Sequence, residues 1–267
     1  MEKRSAAWTV ARIAICAALY AVVNGLTAPI GTPWGVGQFR PGVIIPALFA
    51  ITSGTLVAAV GAGLGSFVGD VIFLVPAGQT NVVLALAAGL PGNFIGFLVF
   101  GYIVNRMKSW SAFAVGSVIS LLIGNMVAAI GVMAFFEPLR TESATAFWVG
   151  VFGFTLFWEF TMMPFMILLL PILLRSLYGM NSTSIWPSGP QRWKPEPLYR
   201  VAAAAAVASI PFFVAGGLSY LGYFDAAYGA WPLLGPVLGP VMTLFELGIA
   251  VTILFSPAAP LLAGSAK

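Results

Sequence analysis

The chain has 267 residues, 60% of them hydrophobic and 7% charged, with twelve basic against eight acidic side chains and a net charge of +4. An ordinary soluble domain is about 25% charged, so this composition, with a mean hydropathy of +0.99, excludes a water-soluble globule and predicts an integral membrane protein. The lack of histidine excludes Ser-His triads, His-held zinc and haem-His chemistry, the single Cys16 excludes an intramolecular disulfide, and the small basic excess is no nucleic-acid footprint.

A bilayer core about 30 Å thick takes roughly 20 helical residues per crossing. The apolar runs predict eight helices, at 8–26, 42–54, 55–75, 81–105, 110–134, 146–174, 200–221 and 232–255. These runs are continuous rather than alternating, so the fold class is an all-α transmembrane bundle and not a barrel. The length of the first run and its small-residue face favour a retained helix over a secretory signal. Ala7, Ala11, Ala14, Ala18, Ala21 and Gly25 are spaced 4, 3, 4, 3, 4 along it, which sets all six on one face. In lipid, small side chains let backbones approach closely. The stripe is therefore a packing surface, either for another helix of this chain or for a separate membrane subunit.

The next segment, Gly31 to Gly42, is a loop rich in Gly and Pro that carries Trp34, Gln38, Phe39 and Arg40. Trp and Phe offer flat faces for a ligand, and Arg40 offers a charge for an anionic group. An interfacial anchor with a snorkelling Arg is the alternative. The third helix carries Gly54, Ala58, Gly61, Ala62, Gly65 and Gly69, then Asp70. It lacks the Lys-Ser/Thr ending of a phosphate loop. A carboxylate at bilayer depth costs about 2.5–3.5 kcal/mol on insertion scales, so Asp70 must face protein or water. It caps backbone, pairs with Arg40 or meets a ligand. Asn93, Asn125 and Glu159 lie inside the fourth, fifth and sixth helices. Each serves interhelical hydrogen bonding, or all three converge on one cavity with a few polar groups, the usual form of a small-molecule site. Glu246 in the last helix stands apart and implies a structural partner there.

The basic residues set the expected orientation. With a cytoplasmic amino terminus, the inner segments hold Lys3, Arg4, Arg12, Arg106, Lys108, Arg175, Arg192, Lys194, Arg200 and Lys267, against Arg40 and Arg140 outside. That asymmetry puts both termini in the cytoplasm of a multi-pass cell-membrane protein. Residues 176–199, with Pro187, Pro190, Pro195 and Pro197, cannot continue a helix and read as a cytoplasmic linker. The expected organisation is a six-helix bundle over 1–175, the linker, and a helix pair with its tail over 200–267. No internal repeat supports an inverted-repeat transporter.

Three stretches resemble the substrate-binding S component of energy-coupling factor (ECF) transporters, the vitamin-uptake ABC systems. They are ARIAICAALYAVVN with its Ala14/Ala18 and Ala17/Ala21 pairs, the outer loop leading through PGVIIPALFAITSG into TLVAAVGAGLGSFVGD, and FWEFTMMPFMILLLPILLR with Pro164 and Pro171. The resemblance spans about two thirds of the chain and implies a six-helix bundle that captures a micronutrient outside. It implies as partners a transmembrane coupling subunit and two cytoplasmic ATPases, no cofactor, and no enzymatic activity of the chain itself. It places the partner-facing surface on Ala11, Ala14, Ala18 and Ala21. The substrate pocket falls on Trp34, Gln38, Phe39, Arg40, Asp70, Asn93, Asn125 and Glu159. The linker and the last two helices depart from the family's six. A self-sufficient carrier or channel using Asp70 or Glu159 is the competing expectation.

Overall fold

The computed structural model describes residues 6–31, 36–179, 196–223 and 235–255. Six helices among the described residues are long and apolar enough to cross a bilayer. They are α1 (Ala6–Thr27), α3 (Thr55–Leu74), α4 (Val82–Met107), α5 (Trp110–Phe135), α6 (Ala144–Leu174, helical on to Gly179) and α7 (Leu198–Tyr220). Two further elements are α2 (Pro41–Thr52) and α8 (Gly235–Phe255). The protein is thus an all-α, multi-pass membrane bundle. Residues 180–195 of the expected linker lie outside the described residues.

One expected crossing differs. The α-helical part of α2, Ile44–Thr52, has nine residues, a rise of about 14 Å at 1.5 Å per residue, well short of a bilayer core. Residues 36–40 make up the distance by running into the bundle before α2 begins. Irregular backbone at such depth is tolerated where protein covers it or it lines a cavity, and Val36, Gln38 and Arg40 are all buried. At its far end α2 turns into α3 through Gly54, whose φ of +111° suits only glycine. Asn105 of α4 fastens this turn by donating to the Ala50 carbonyl (2.9 Å) and to Thr55 Oγ1 (3.1 Å).

Glycines set the helix spacing. A Cβ at Gly61 would lie 2.7 Å from Cys16, one at Gly65 2.6 Å from the Ala17 carbonyl oxygen, and one at Gly69 3.2 Å from the Ala21 Cα. The Gly-x-x-x-Gly row of α3 therefore receives Cys16, Ala17 and Ala21 of α1 at backbone contact, where van der Waals packing replaces the missing hydrophobic drive. The same device joins α4 to α5, where Gly92 and Gly96 abut Gly124. α8 packs on α7, and α7 lies along α5, with Phe212 of α7 edge-on to Phe160 of α6 at 5.2 Å. Ser109 and Ser143 cap the starts of α5 and α6 by accepting from the amides of Ala112 and Ala146.

Three helices widen by one residue. π turns occupy Asp70–Leu74 in α3, Ala85–Gly89 in α4 and Phe165–Leu169 in α6. They are closed by the amides of Val75, Leu90 and Leu170, and each closing residue is followed by a proline: Pro76, Pro91 and Pro171. Proline brings no N–H and its ring collides with the carbonyl four residues back. A widened turn just before it relieves that collision, a recognised use of π geometry.

Candidate functional site

Asp70 begins the π turn of α3 and is 3% exposed. Such a carboxylate at depth needs a partner, and the inward-running loop supplies one. Arg40 donates from Nη2 to Asp70 Oδ1 at 2.7 Å and from Nη1 to Ser66 Oγ at 2.8 Å. Ser66 also accepts from Asn93 Nδ2 at 3.0 Å. Asn93 donates to the Gly89 carbonyl at 2.8 Å and accepts from the Tyr20 hydroxyl at 2.6 Å. A Cβ at residue 89 would lie 2.6 Å from Asp70 Oδ2, so Gly89 is what lets α4 close against the carboxylate. The network ties α1, the loop, α3 and α4 together.

A second fastening holds the same loop to α6. Trp158 Nε1 donates to the Gln38 carbonyl at 3.2 Å, and Gln38 Nε2 donates to the Asn24 carbonyl at 3.0 Å. Phe39 meets Phe165, in the π turn of α6, edge-on at 5.6 Å.

Between these fastenings lies a cavity bounded by the loop, α3, α4, α5 and α6. It offers about 50 Å³ to the centre of a water molecule, several times the roughly 10–15 Å³ that one water needs. Arg40, Asp70, Asn93 and Asn125 line it, together with Phe97 and Trp158. Ser120, Thr80 and the glycines at 92, 96 and 124 complete much of the wall. It is largely apolar with a few polar groups, the usual character of a small-molecule site.

Of the residues the sequence singled out, four line this cavity. Gln38 and Phe39 do not: both hold the loop in place behind the wall. Glu159 is fully buried beside Asn125 and also lies behind the wall. Trp34 lies outside the described residues. Arg40 is not an unattached charge waiting for an anion, because Asp70 already neutralises it. Sequence reasoning missed Trp158 and Phe97, whose only signal was an aromatic within an apolar run, and the Gly92/Gly96/Gly124 contact, whose four-residue spacing was visible.

On α1, Ala11, Ala14 and Ala18 are exposed and turned away from α3. Ala21 departs from that set: it is 5% exposed and is spent on the contact with Gly69. Glu246 is fully buried between α8 and α7, near Ser219. Comparison with protein-family models, with curated proteins and with solved structures returns no match.

Proposed function

We propose that this protein is the ligand-binding membrane subunit of an importer of the ECF type, resembling its S components. It takes a small micronutrient into the cavity from outside and releases it inside when partner ATPases drive a coupling subunit. Both termini are then cytoplasmic and the membrane is the cell membrane. The observation that carries this reading is the lined cavity beneath a loop fastened at two points, by Arg40 to Asp70 and by Gln38 to Trp158. A pre-formed enclosure of that kind suits capture. The exposed Ala11, Ala14 and Ala18 offer a shallow surface on which a second membrane subunit can dock and turn, since small residues interlock little. Among the described residues, the extra α7–α8 pair braces α5 through α7 and supplies no residue to the cavity wall.

Mass spectrometry of small molecules retained by the purified chain tests the proposal, together with uptake assays with and without a co-expressed coupling subunit and ATPases. Retention of one compound and uptake only with the partners is expected. Uptake into liposomes by the chain alone would overturn it. That outcome is the second reading, a self-sufficient carrier, which one observation favours: neither oxygen of the buried Glu159 has a hydrogen-bond partner among the described residues. A proton or cation site has that form.

A further inference from the structure

Several polar groups of the cavity wall are already spent. Asn93 gives both its N–H groups to Ser66 and Gly89, and its oxygen accepts from Tyr20. Trp158 gives its single N–H to Gln38. Asn125 has no hydrogen bond among the described residues, but an amide turned by 180° presents its other atom, so this residue selects neither a donor nor an acceptor.

Asp70 is different, because its polarity cannot be turned over. Its Oδ1 takes the N–H of Arg40 Nη2 at 2.7 Å. Beside that guanidinium Asp70 is a carboxylate, and a carboxylate only accepts. Its Oδ2 accepts from no group among the described residues, yet it is not sealed as the oxygens of Glu159 are. Asp70 and Gly89 both line the cavity. The space that a Cβ of residue 89 would fill lies 2.6 Å from Oδ2 and 3.2 Å from Ser66 Oγ, so glycine keeps carbon off this side of the carboxylate. A charged acceptor left unserved in a largely apolar cavity has a strong demand for a donor.

We infer that Asp70 Oδ2 is the atom that reads the ligand, and that the ligand meets it with an uncharged N–H of the amide or lactam kind. This rests on the proposed binding role of the cavity and narrows its ligand class. A cationic donor would stand beside Arg40 as well as Asp70, so the pair offers it little net attraction. Arg40 donates two of its five N–H groups and its Nε has no partner. The inference therefore fixes the ligand's donor and places no bar on an oxygen or acid elsewhere in the molecule.

The test uses three flat probes of nearly one shape on the full chain in detergent, measured by equilibrium dialysis against protein-free micelles. Oxindole carries an N–H beside its carbonyl, N-methyloxindole keeps the carbonyl and loses the N–H, and 2-indanone puts CH₂ where the N–H was. Oxindole is expected to bind about tenfold more tightly than either, the fold-change of one hydrogen bond to a charged group. Asp70→Asn should bring the three within about twofold of one another. Arg40 can only donate, so it holds the oxygen of the new amide and leaves its Nδ2 toward the cavity, where the carbonyl of any of the three can meet it. Where Asp70→Asn does not fold, Arg40→Met/Asp70→Leu, which strands no charge, should level the three in the same way. Equal binding of oxindole and 2-indanone by the unaltered protein, or an oxindole preference that survives in the folded variant, would overturn the inference. Failure of all three probes to bind saturably would instead overturn the binding role of the cavity.

Discussion

Breaking the Arg40–Asp70 pair tests how the loop is held over the cavity. The two side chains are 8% and 4% exposed and meet at 2.7 Å. Asp70→Leu leaves the guanidinium buried, with the neutral Ser66 hydroxyl still accepting from it but no opposite charge beside it. Arg40→Met leaves the carboxylate buried with no counter-ion. Removing one member of a buried pair costs about 3–5 kcal/mol, chiefly through the stranded charge, whereas replacing both by apolar residues of similar volume is often near neutral. The double variant Arg40→Met/Asp70→Leu strands no charge. It forfeits the hydrogen bond to Ser66 and some packing, about 1–2 kcal/mol. The expected coupling between the two substitutions is therefore at least about 4 kcal/mol, above the roughly 0.5–3 kcal/mol usual for neighbours. Unfolding of the four proteins by SDS in mixed micelles, at one pH and ionic strength, gives the complete cycle. Both single variants should also bind cavity ligands poorly, while the double recovers part of that binding. Additive losses, with the double variant at or below the sum of the singles, would refute the claim that the pair acts as a unit.

Other contacts carry expectations of their own. Gly65→Val drives a branched side chain into the backbone of Ala17, 2.6 Å from its carbonyl oxygen. It should destabilise the α1–α3 contact by about 3 kcal/mol, the upper end for overpacking, read in the same SDS titration; a neutral result would mean that α1 does not sit against α3. Ala14→Leu and Ala18→Leu lie on the exposed face and should leave stability and ligand affinity unchanged while lowering ATPase-dependent uptake and co-purification with a coupling subunit, and equal loss of binding and uptake would contradict that separation. Glu196 accepts from the Ser111 amide at 2.9 Å at the start of α5, and Glu196→Ala should cost about 1 kcal/mol, as the loss of a helix cap does, measured by the shift in the SDS midpoint.

Much of the fold was legible because a bilayer imposes one demand throughout: every backbone polar group satisfied within its own helix. That demand writes long apolar runs into the sequence, and the six long helices coincide with them to within a few residues. The exception was the run at 42–54, where hydropathy marks the region as apolar but not how far it extends across the membrane. The pairing of Asp70 with Arg40 was one of three options on sequence grounds, and cost alone could not choose among them. Thirty residues separate the partners, and the choice rests on a loop that runs inward. Asn93 and Asn125 looked equivalent as amides in neighbouring helices. Only the geometry separates Asn93, with every polar atom engaged, from Asn125, which lines the cavity with an Nδ2 that has no hydrogen-bond partner among the described residues. The small-residue stripe of α1 divides likewise, since Ala21 faces α3 while Ala11, Ala14 and Ala18 do not.

The prolines carried a signal whose meaning depends on the backbone. Pro76, Pro91 and Pro171 each come directly after the residue that closes a π turn, and these turns border the cavity and its loop. Asp70 and Leu74 line the cavity from the first turn, Ala88 and Gly89 from the second, and Phe165 in the third meets Phe39 edge-on. A π turn adds one residue to a helical turn and so rotates the two halves of its helix relative to each other. In α3 and α4 it lies between the Gly-rich contacts that set helix spacing and the end of the helix nearest the loop. The close contacts of Gly61 and Gly65 with α1 can therefore coexist with a space beside Asp70, because the register that serves the one is broken before it would constrain the other. Substituting Pro91 by alanine restores the missing N–H and removes the collision that the π turn relieves. The turn should then revert toward an α-helix, Asn93 should rotate away from Ser66 and Tyr20, and the cavity should lose its ligand without a matching loss of stability. Retained affinity in Pro91→Ala would show that the widened turn is maintained by packing against α5 alone.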